Sequence, residues 1–201
     1  KQLLAFSQQG MYEPKRLDIR RLIDDTVTFF ARINKRQFTV IQQDSSMPLA
    51  VIGDAMQLKH AITNVLFNAA DATEPTDEIV IHLNSQLLDS DRAYASTPAR
   101  FVAISVSDTG AGIEESDLGK VFEPFFSRKS TAHRPGLGLA MVYGIVKQNE
   151  GSIYIYSEPQ KGTSMKIYWP ISVKRPGKLI SQDEPEKEVR GNEKILLVED
   201  E

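Results

Sequence analysis

The sequence contains no cysteine. Disulfides, zinc–thiolate sites, iron–sulfur clusters and thiol nucleophiles are therefore excluded together, and a reducing compartment fits. It has no apolar run approaching the length of a membrane span. It has no basic-then-apolar leader at its start. It also lacks an excess of positive charge. Its 24 Lys and Arg face 27 Asp and Glu, for a formal charge of −3. A generic nucleic-acid binder needs the opposite sign to neutralise phosphates. Several catalytic signatures are missing too: no phosphate-binding G-x-x-x-x-G-K-[ST], no H-R-D or D-F-G, and no H-E-x-x-H. Ser127 and Ser130 lack the glycine context of a nucleophile elbow.

What is present is a chain of 201 residues, 41% hydrophobic and 25% charged. That is enough for a sizeable core without staples. Apolar spacing predicts a short strand at Leu17–Ile19 and a helix from Arg21 to Asn34, with Leu22, Ile23, Val27, Phe30 and Ile33 inward. Strands are expected around Phe38–Ile41 and Leu49–Ile52. Asp54 to Thr73 is the clearest helix. Asp54 can cap it, Gln57 follows three residues on, and Leu58, Ile62, Val65, Leu66 and Ala69 form one stripe. Alternation predicts strands from Ile79 and over Phe101–Ser107, joined by a polar connection at 89–98. Residues 114–135 read as mostly irregular. Gly136-Leu137-Gly138 opens a helix to about Asn149, with Leu139, Val142, Ile145 and Val146 inward. Strands Ser152–Tyr156 and Thr163–Trp169 follow.

Four local patterns carry chemistry. Asn64 and Asn68 lie one turn apart on the clearest helix, on the side away from its apolar stripe, with His60 and Asp71. Asn is an uncharged hard oxygen ligand, which suits Mg²⁺ held largely by substrate phosphates. Two exposed amides on a surface helix are the plainer reading of that pair alone. Asp108 ends a strand and precedes Gly110 and Gly112. A carboxylate there can accept from an exocyclic amine such as that of adenine. Gly136-Leu137-Gly138 at a helix start offers free N–H groups to phosphate. Arg128, Lys129 and Arg134 precede it and can reach a terminal phosphate, and Phe122, Phe125 and Phe126 can anchor that loop or simply fill core.

In order and spacing, Asn64-x-x-x-Asn68-Ala69, Asp108-x-Gly110-x-Gly112, Phe122-x-Pro124-Phe125-Phe126 and Gly136-x-Gly138-Leu139 resemble the N, G1, F and G2 boxes of sensor histidine kinases. The resemblance covers about residues 15–170. It implies a two-layer α/β sandwich of the Bergerat type: a mixed sheet, helices on one face, and a mobile ATP lid. It implies ATP and Mg²⁺ as ligands, with Asn68 on the metal and Asn64 beside it at the phosphates. Asp108 would take the adenine amino group, and Gly110 and Gly112 would line the base pocket. Lys129 would be the basic lid residue at the phosphate. Gly136, Leu137, Gly138 and Leu139 would surround the phosphates, and Thr163 would stand near the adenine. Asp71, Ile113 and Phe122 would complete the nucleotide-binding set.

The same resemblance divides the chain. Residues 1–13 would be the tail of a dimerisation helix hairpin, 14–172 the catalytic ATP-binding domain, 173–193 a linker, and 194–201 the first strand of a receiver domain. The chain opens on Lys1, not Met, and is expected to be a piece of a longer cytoplasmic or membrane-anchored kinase. Its expected partners are a histidine-bearing hairpin and a receiver domain, with no nucleic acid and no direct membrane contact. His133-Arg134-Pro135 departs from the family pattern, and Pro135 stiffens the lid there. That departure leaves a second reading, an ATP-binding regulatory module without phosphotransfer. Chaperone- and gyrase-like ATPases carry a catalytic glutamate where this chain has Asn64.

Overall fold

A computed structural model describes residues 12–34, 36–43, 49–88, 99–127 and 136–172. The helix tail at 1–9, the connection at 89–98, the basic lid stretch at 128–135 and everything expected beyond 172 lie outside the described residues.

The chain opens with β1 (Lys15–Asp18) and α1 (Ile19–Asn34). The helix starts two residues earlier than its apolar pattern suggests. Asp18 Oδ1 accepts from the N–H groups of Arg20 at 2.9 Å and Arg21 at 3.3 Å, so Asp18 ends the strand and caps the helix. Ile19, Leu22, Ile23, Val27 and Phe30 are buried, but Ile33 is 62% exposed. The buried stripe stops at Phe30, a turn before the helix itself ends at Asn34. Then come β2 (Phe38–Gln42), β3 (Ala50–Gly53) and α2 (Ala55–Ala72). Asp54 caps α2 as expected, accepting from Met56 N at 2.9 Å and Gln57 N at 3.1 Å. Leu58, Ile62, Val65, Leu66 and Ala69 all face the core.

β4 (Ile79–Leu88) and β5 (Ala99–Asp108) are the longest strands, and a one-turn helix, α3 (Glu115–Leu118), interrupts the segment expected to be irregular. The last elements are α4 (Gly138–Gln148), β6 (Ser152–Glu158) and β7 (Gly162–Pro170). Five strands form one sheet in the order β2-β4-β5-β7-β6. β2 and β4 run parallel, joined by a crossover that contains β3 and α2. The other neighbours are antiparallel. β1 and β3 form a separate antiparallel pair, tied to the end of β7 by Ser172 N donating to Ala50 O at 2.9 Å.

The sheet is mixed, and α1, α2 and α4 pack on one of its faces. Ile79, Ile81, Leu83, Val102, Ile104 and Ile167 point into that layer, and Trp169 is 1% exposed within it. Phe30 meets Phe67 edge-on with ring centroids 4.7 Å apart. Fully burying each such side chain contributes about 1.5–3 kcal/mol. This is the two-layer α/β sandwich the resemblance implies. Among the described residues no helix is long and apolar enough to cross a membrane.

Candidate functional site

The polar side of α2 forms one wall of a cavity of about 760 Å³, within the range of ligand pockets. Asn64, Asn68 and Asp71 line it, because their spacing keeps them on one helical side. His60 belongs to the same stripe but is exposed and lies outside the lining.

The two amides have different surroundings. Asn64 Nδ2 donates to His60 O at 3.0 Å and touches Met141 Sδ at 3.8 Å. Those contacts orient the group. Asn68 Nδ2 is buried and has no hydrogen-bond partner among the described residues. An orphaned amide at a cavity wall is expected where a ligand completes the hydrogen bonding.

Asp108 ends β5 on the cavity's inner surface. Its Oδ1 accepts from Gly110 N at 2.9 Å and Thr163 N at 3.2 Å. All its hydrogen bonds among the described residues go to that oxygen, leaving Oδ2 for a ligand. Burial pushes the carboxyl above the usual carboxylate range, against the pull of the two backbone N–H groups. Val106 and Met165, two residues away on β5 and β7, supply an apolar surface beside it. A flat ring with an amino edge suits that combination.

Of the two glycines expected at the pocket, Gly112 lines it and Gly110 does not. A Cβ on Gly110 would stand 2.2 Å from Ala72 O, at the end of α2, and Gly110 is not part of the lining. Gly112 does line the cavity, at φ +69°, where a Cβ would lie 2.1 Å from Glu158 O. Both glycines let the loop approach other protein backbone closely. Ala111 N donates to Ala72 O at 3.2 Å, which pins the loop to α2.

Ile113 lines the cavity as expected. Its N–H donates to Ser157 Oγ at 2.8 Å, and that hydroxyl also reaches Gly162 O and Thr163 Oγ1, each at 2.9 Å. Ser157 thus ties the loop after β5 to the β6–β7 turn. No sequence motif marks it. Thr163 is 8% exposed and lines the cavity.

The start of α4 forms the wall beside Asn64, where a Cβ on Gly138 would lie 3.2 Å from Asn64 Oδ1. Gly136, Leu137, Gly138 and Leu139 all line the cavity, and Leu139, packed against the core as its helical spacing suggests, is only partly buried because it also faces that space. The N-cap is Leu137, and its side chain makes no capping bond to the first N–H groups of this 11-residue helix, which have no intrahelical partner. Their partial positive charge suits phosphate.

Phe122 is outside the lining. Its ring packs on Tyr143, centroids 5.6 Å apart, and Phe126 takes the place at the wall. Lys129, with Arg128 and Arg134, falls outside the described residues. Val106, Met141 and Met165 carry no motif, though the inward alternation of β5 and β7 points to the first and last.

The family described as histidine kinase-, DNA gyrase B- and HSP90-like ATPase matches residues 53–173. The sensor kinase CckA of Brucella abortus (strain 2308) is 36% identical over 216 residues, covering 100% of this chain and 22% of that protein. Sporulation kinase B of Bacillus subtilis (strain 168) is 27% identical, covering 85% and 37%. The chain thus spans well under half the length of these relatives. The mycobacterial sensor histidine kinase MprB superposes with a TM-score of 0.63 at 27% identity, covering 79% of this chain and 97% of that one. The catalytic domain of histidine kinase ThkA shares the fold, with a TM-score of 0.63 at 23% identity, over 79% and 95%. With the cavity's paired amides, its strand-end carboxylate and this match, the chain belongs to the histidine kinase-, DNA gyrase B- and HSP90-like ATPase family.

Proposed function

We propose that the chain binds Mg-ATP in this cavity and transfers the γ-phosphoryl group to a histidine on a separate helical domain, as the kinase part of a two-component relay. The observation that carries the reading is the convergence, around one space of about 760 Å³, of Asp108, the amides of Asn64 and Asn68, and the uncapped start of α4.

Each group has a definable task. Asp108 Oδ2 accepts from the adenine amino group and repels the keto oxygen of guanine. Val106 and Met165 pack against the ring. The N–H groups at Gly138 and Leu139 bind phosphate oxygens. Asn68 offers its carbonyl oxygen to Mg²⁺, with Asn64 beside it, and their neutrality avoids repelling the triphosphate. The bound ion would neutralise developing phosphate charge. Among the described residues no cluster of three His, Asp or Glu side chains forms a ready-made metal cage. A cation that arrives with its nucleotide suits such a wall. Lys129 is assigned to the terminal phosphate on the strength of the motif.

The transfer needs little acid–base help from the chain. An imidazole nitrogen lone pair forms the new P–N bond as the bond from the γ-phosphorus to the bridging oxygen breaks, and ADP carries the electrons away. Catalysis is then positioning and charge neutralisation. In the same reading residues 1–13 are the tail of the histidine-bearing hairpin, 14–172 the catalytic domain, 173–193 a linker and 194–201 the start of a receiver domain, in a cytoplasmic portion of the parent protein.

The test is a mixture of this chain, Mg²⁺, γ-labelled ATP and the histidine-bearing hairpin as a separate polypeptide. Acid-labile label on the hairpin histidine is expected. Bound ATP with no label transferred would leave a regulatory nucleotide module instead. Steady hydrolysis without transfer would point to an ATPase.

A further inference from the structure

The face of the five-stranded sheet opposite the helices holds a second concavity, of about 250 Å³. Strand register explains its shape. His82, Ser105 and Lys166 form one transverse row across β4, β5 and β7. Asn84, Ala103 and Tyr168 form the next. Ala103 carries only a methyl group, so the floor dips between taller neighbours. Gln43 and Gln86 complete the rim.

Two atoms on side chains that line this groove lack an explanation within the fold. His82 Nδ1 and Asn84 Oδ1 are buried, and neither has a hydrogen-bond partner among the described residues. Asn84 Nδ2 donates to Gln43 Oε1 at 3.3 Å, and in that arrangement Oδ1 is the end of the amide left over. Native folds keep few such orphans, and each is costly. Here two lie two residues apart on one strand, on side chains that line one groove. With its proton on Nε2, His82 presents Nδ1 as an acceptor. Both orphans then call for a donor from outside.

Lys166 stands two strands away in the row of His82. Its ammonium lies 5.0 Å from the centroid of the Tyr156 ring and pairs with no carboxylate among the described residues. Adjacent strands are about 4.8 Å apart, so the backbones carrying the acceptors and the cation are separated by about 10 Å. His82, Asn84 and Lys166 all line the same groove, and the flexible Lys166 stem lets its ammonium swing from Tyr156 toward a ligand carboxylate. The volume lies below the roughly 300–1,000 Å³ typical of drug-sized sites.

We propose that this groove binds a small amino-acid-like zwitterion. Its ammonium donates to Asn84 Oδ1 and His82 Nδ1, and its carboxylate meets Lys166. The site is independent of the ATP cavity, which lies on the other face of the sheet.

A nitrogen-labelled sample of the full chain, with Mg-ATP present, is titrated with the common amino acids one at a time. Any binder is repeated as its N-acetyl and carboxamide derivatives. At least one amino acid should give saturable shifts at His82, Asn84, Ser105 and Lys166, and each derivative should bind about tenfold or more weakly. Asn84→Ala and Lys166→Gln should each cost about tenfold in this titration and leave Mg-ATP affinity unchanged. Absence of saturable shifts in these strands with every amino acid overturns the proposal. Binding that survives loss of the ammonium, or that persists in both variants, overturns it equally.

Discussion

Thr163 N donates to Asp108 Oδ1 at 3.2 Å, joining the first residues of β7 to the last residue of β5. The bond spends one carboxylate oxygen on structure and leaves the other at the cavity. Asp108→Asn keeps the accepting Oδ1 and replaces Oδ2 with an NH₂ group. ATP binding by the variant should fall by about 1.5–3 kcal/mol, roughly 10- to 100-fold, measured by calorimetry.

The same substitution has a pH signature without nucleotide. Burial raises the Asp108 carboxyl. A raised folded-state value means that its contribution to stability is fully present below the unfolded value of about 3.9 and is lost as pH rises through the folded value. The variant carries no such charge. Thermal midpoints of parent and variant should therefore diverge in the variant's favour as pH rises from about 4. A variant less stable by a constant amount at every pH would contradict the burial argument.

Asn68→Ala removes a buried orphan nitrogen and, in the proposed mechanism, a metal ligand. Folding stability should hold or rise slightly, because no existing hydrogen bond of Nδ2 is lost. Affinity for ATP should fall about tenfold or more with Mg²⁺ present and much less in its absence. Equal losses in both conditions would remove Asn68 from the metal.

Arg36 clamps the end of the helix that carries both amides. Its Nη1 donates to Thr73 Oγ1 at 2.7 Å and Glu74 O at 3.0 Å, and Nη2 to Thr73 O at 2.6 Å. Arg36→Ala should lower stability by about 1–3 kcal/mol in denaturant titration. Nucleotide affinity should weaken as well, because Ala72 O next to the clamp anchors Ala111 N. Arg36→Lys should restore only part, having no fork of donors.

Asp54→Ala tests the other end of α2 and should cost about 1 kcal/mol. Burial pushes the Asp54 carboxyl up, but the N–H groups of Gln57, Glu13 and Met56, with Lys15, outweigh it and hold it below the ordinary value. A depressed value gives stability that is present above the unfolded value of about 3.9 and is lost as pH falls through the folded one. The gap between parent and variant should close on acidification, as followed by thermal melts.

Helix α2 was legible from the chain because its signals agree: a capping aspartate, an apolar stripe of helical period and a polar side bearing Asn64 and Asn68. Other features needed partners distant in sequence. Short strands were expected near β1 and β3, but only the folded chain pairs them with each other, apart from the main sheet. Ser157 looks like any strand serine until Ile113, Gly162 and Thr163 meet around it. Phe122 and Phe126 cannot be ranked by spacing, because the choice between Tyr143 and the cavity is made by how the segment turns.

Composition and periodicity by themselves determined a cysteine-free chain of helices and strands, its main helix and most of its strands, while the four boxes were read through their resemblance to those of sensor histidine kinases. These are local properties, set by 3.6- and 2-residue periods and by turn residues. Only the folded chain decided that Gly110 supports a loop against Ala72, that Leu139 faces the cavity, and that His82, Asn84 and Lys166 share a groove on the bare side of the sheet. Those outcomes depend on strand register and helix docking, which bring together residues tens of positions apart. No local pattern encodes that distance.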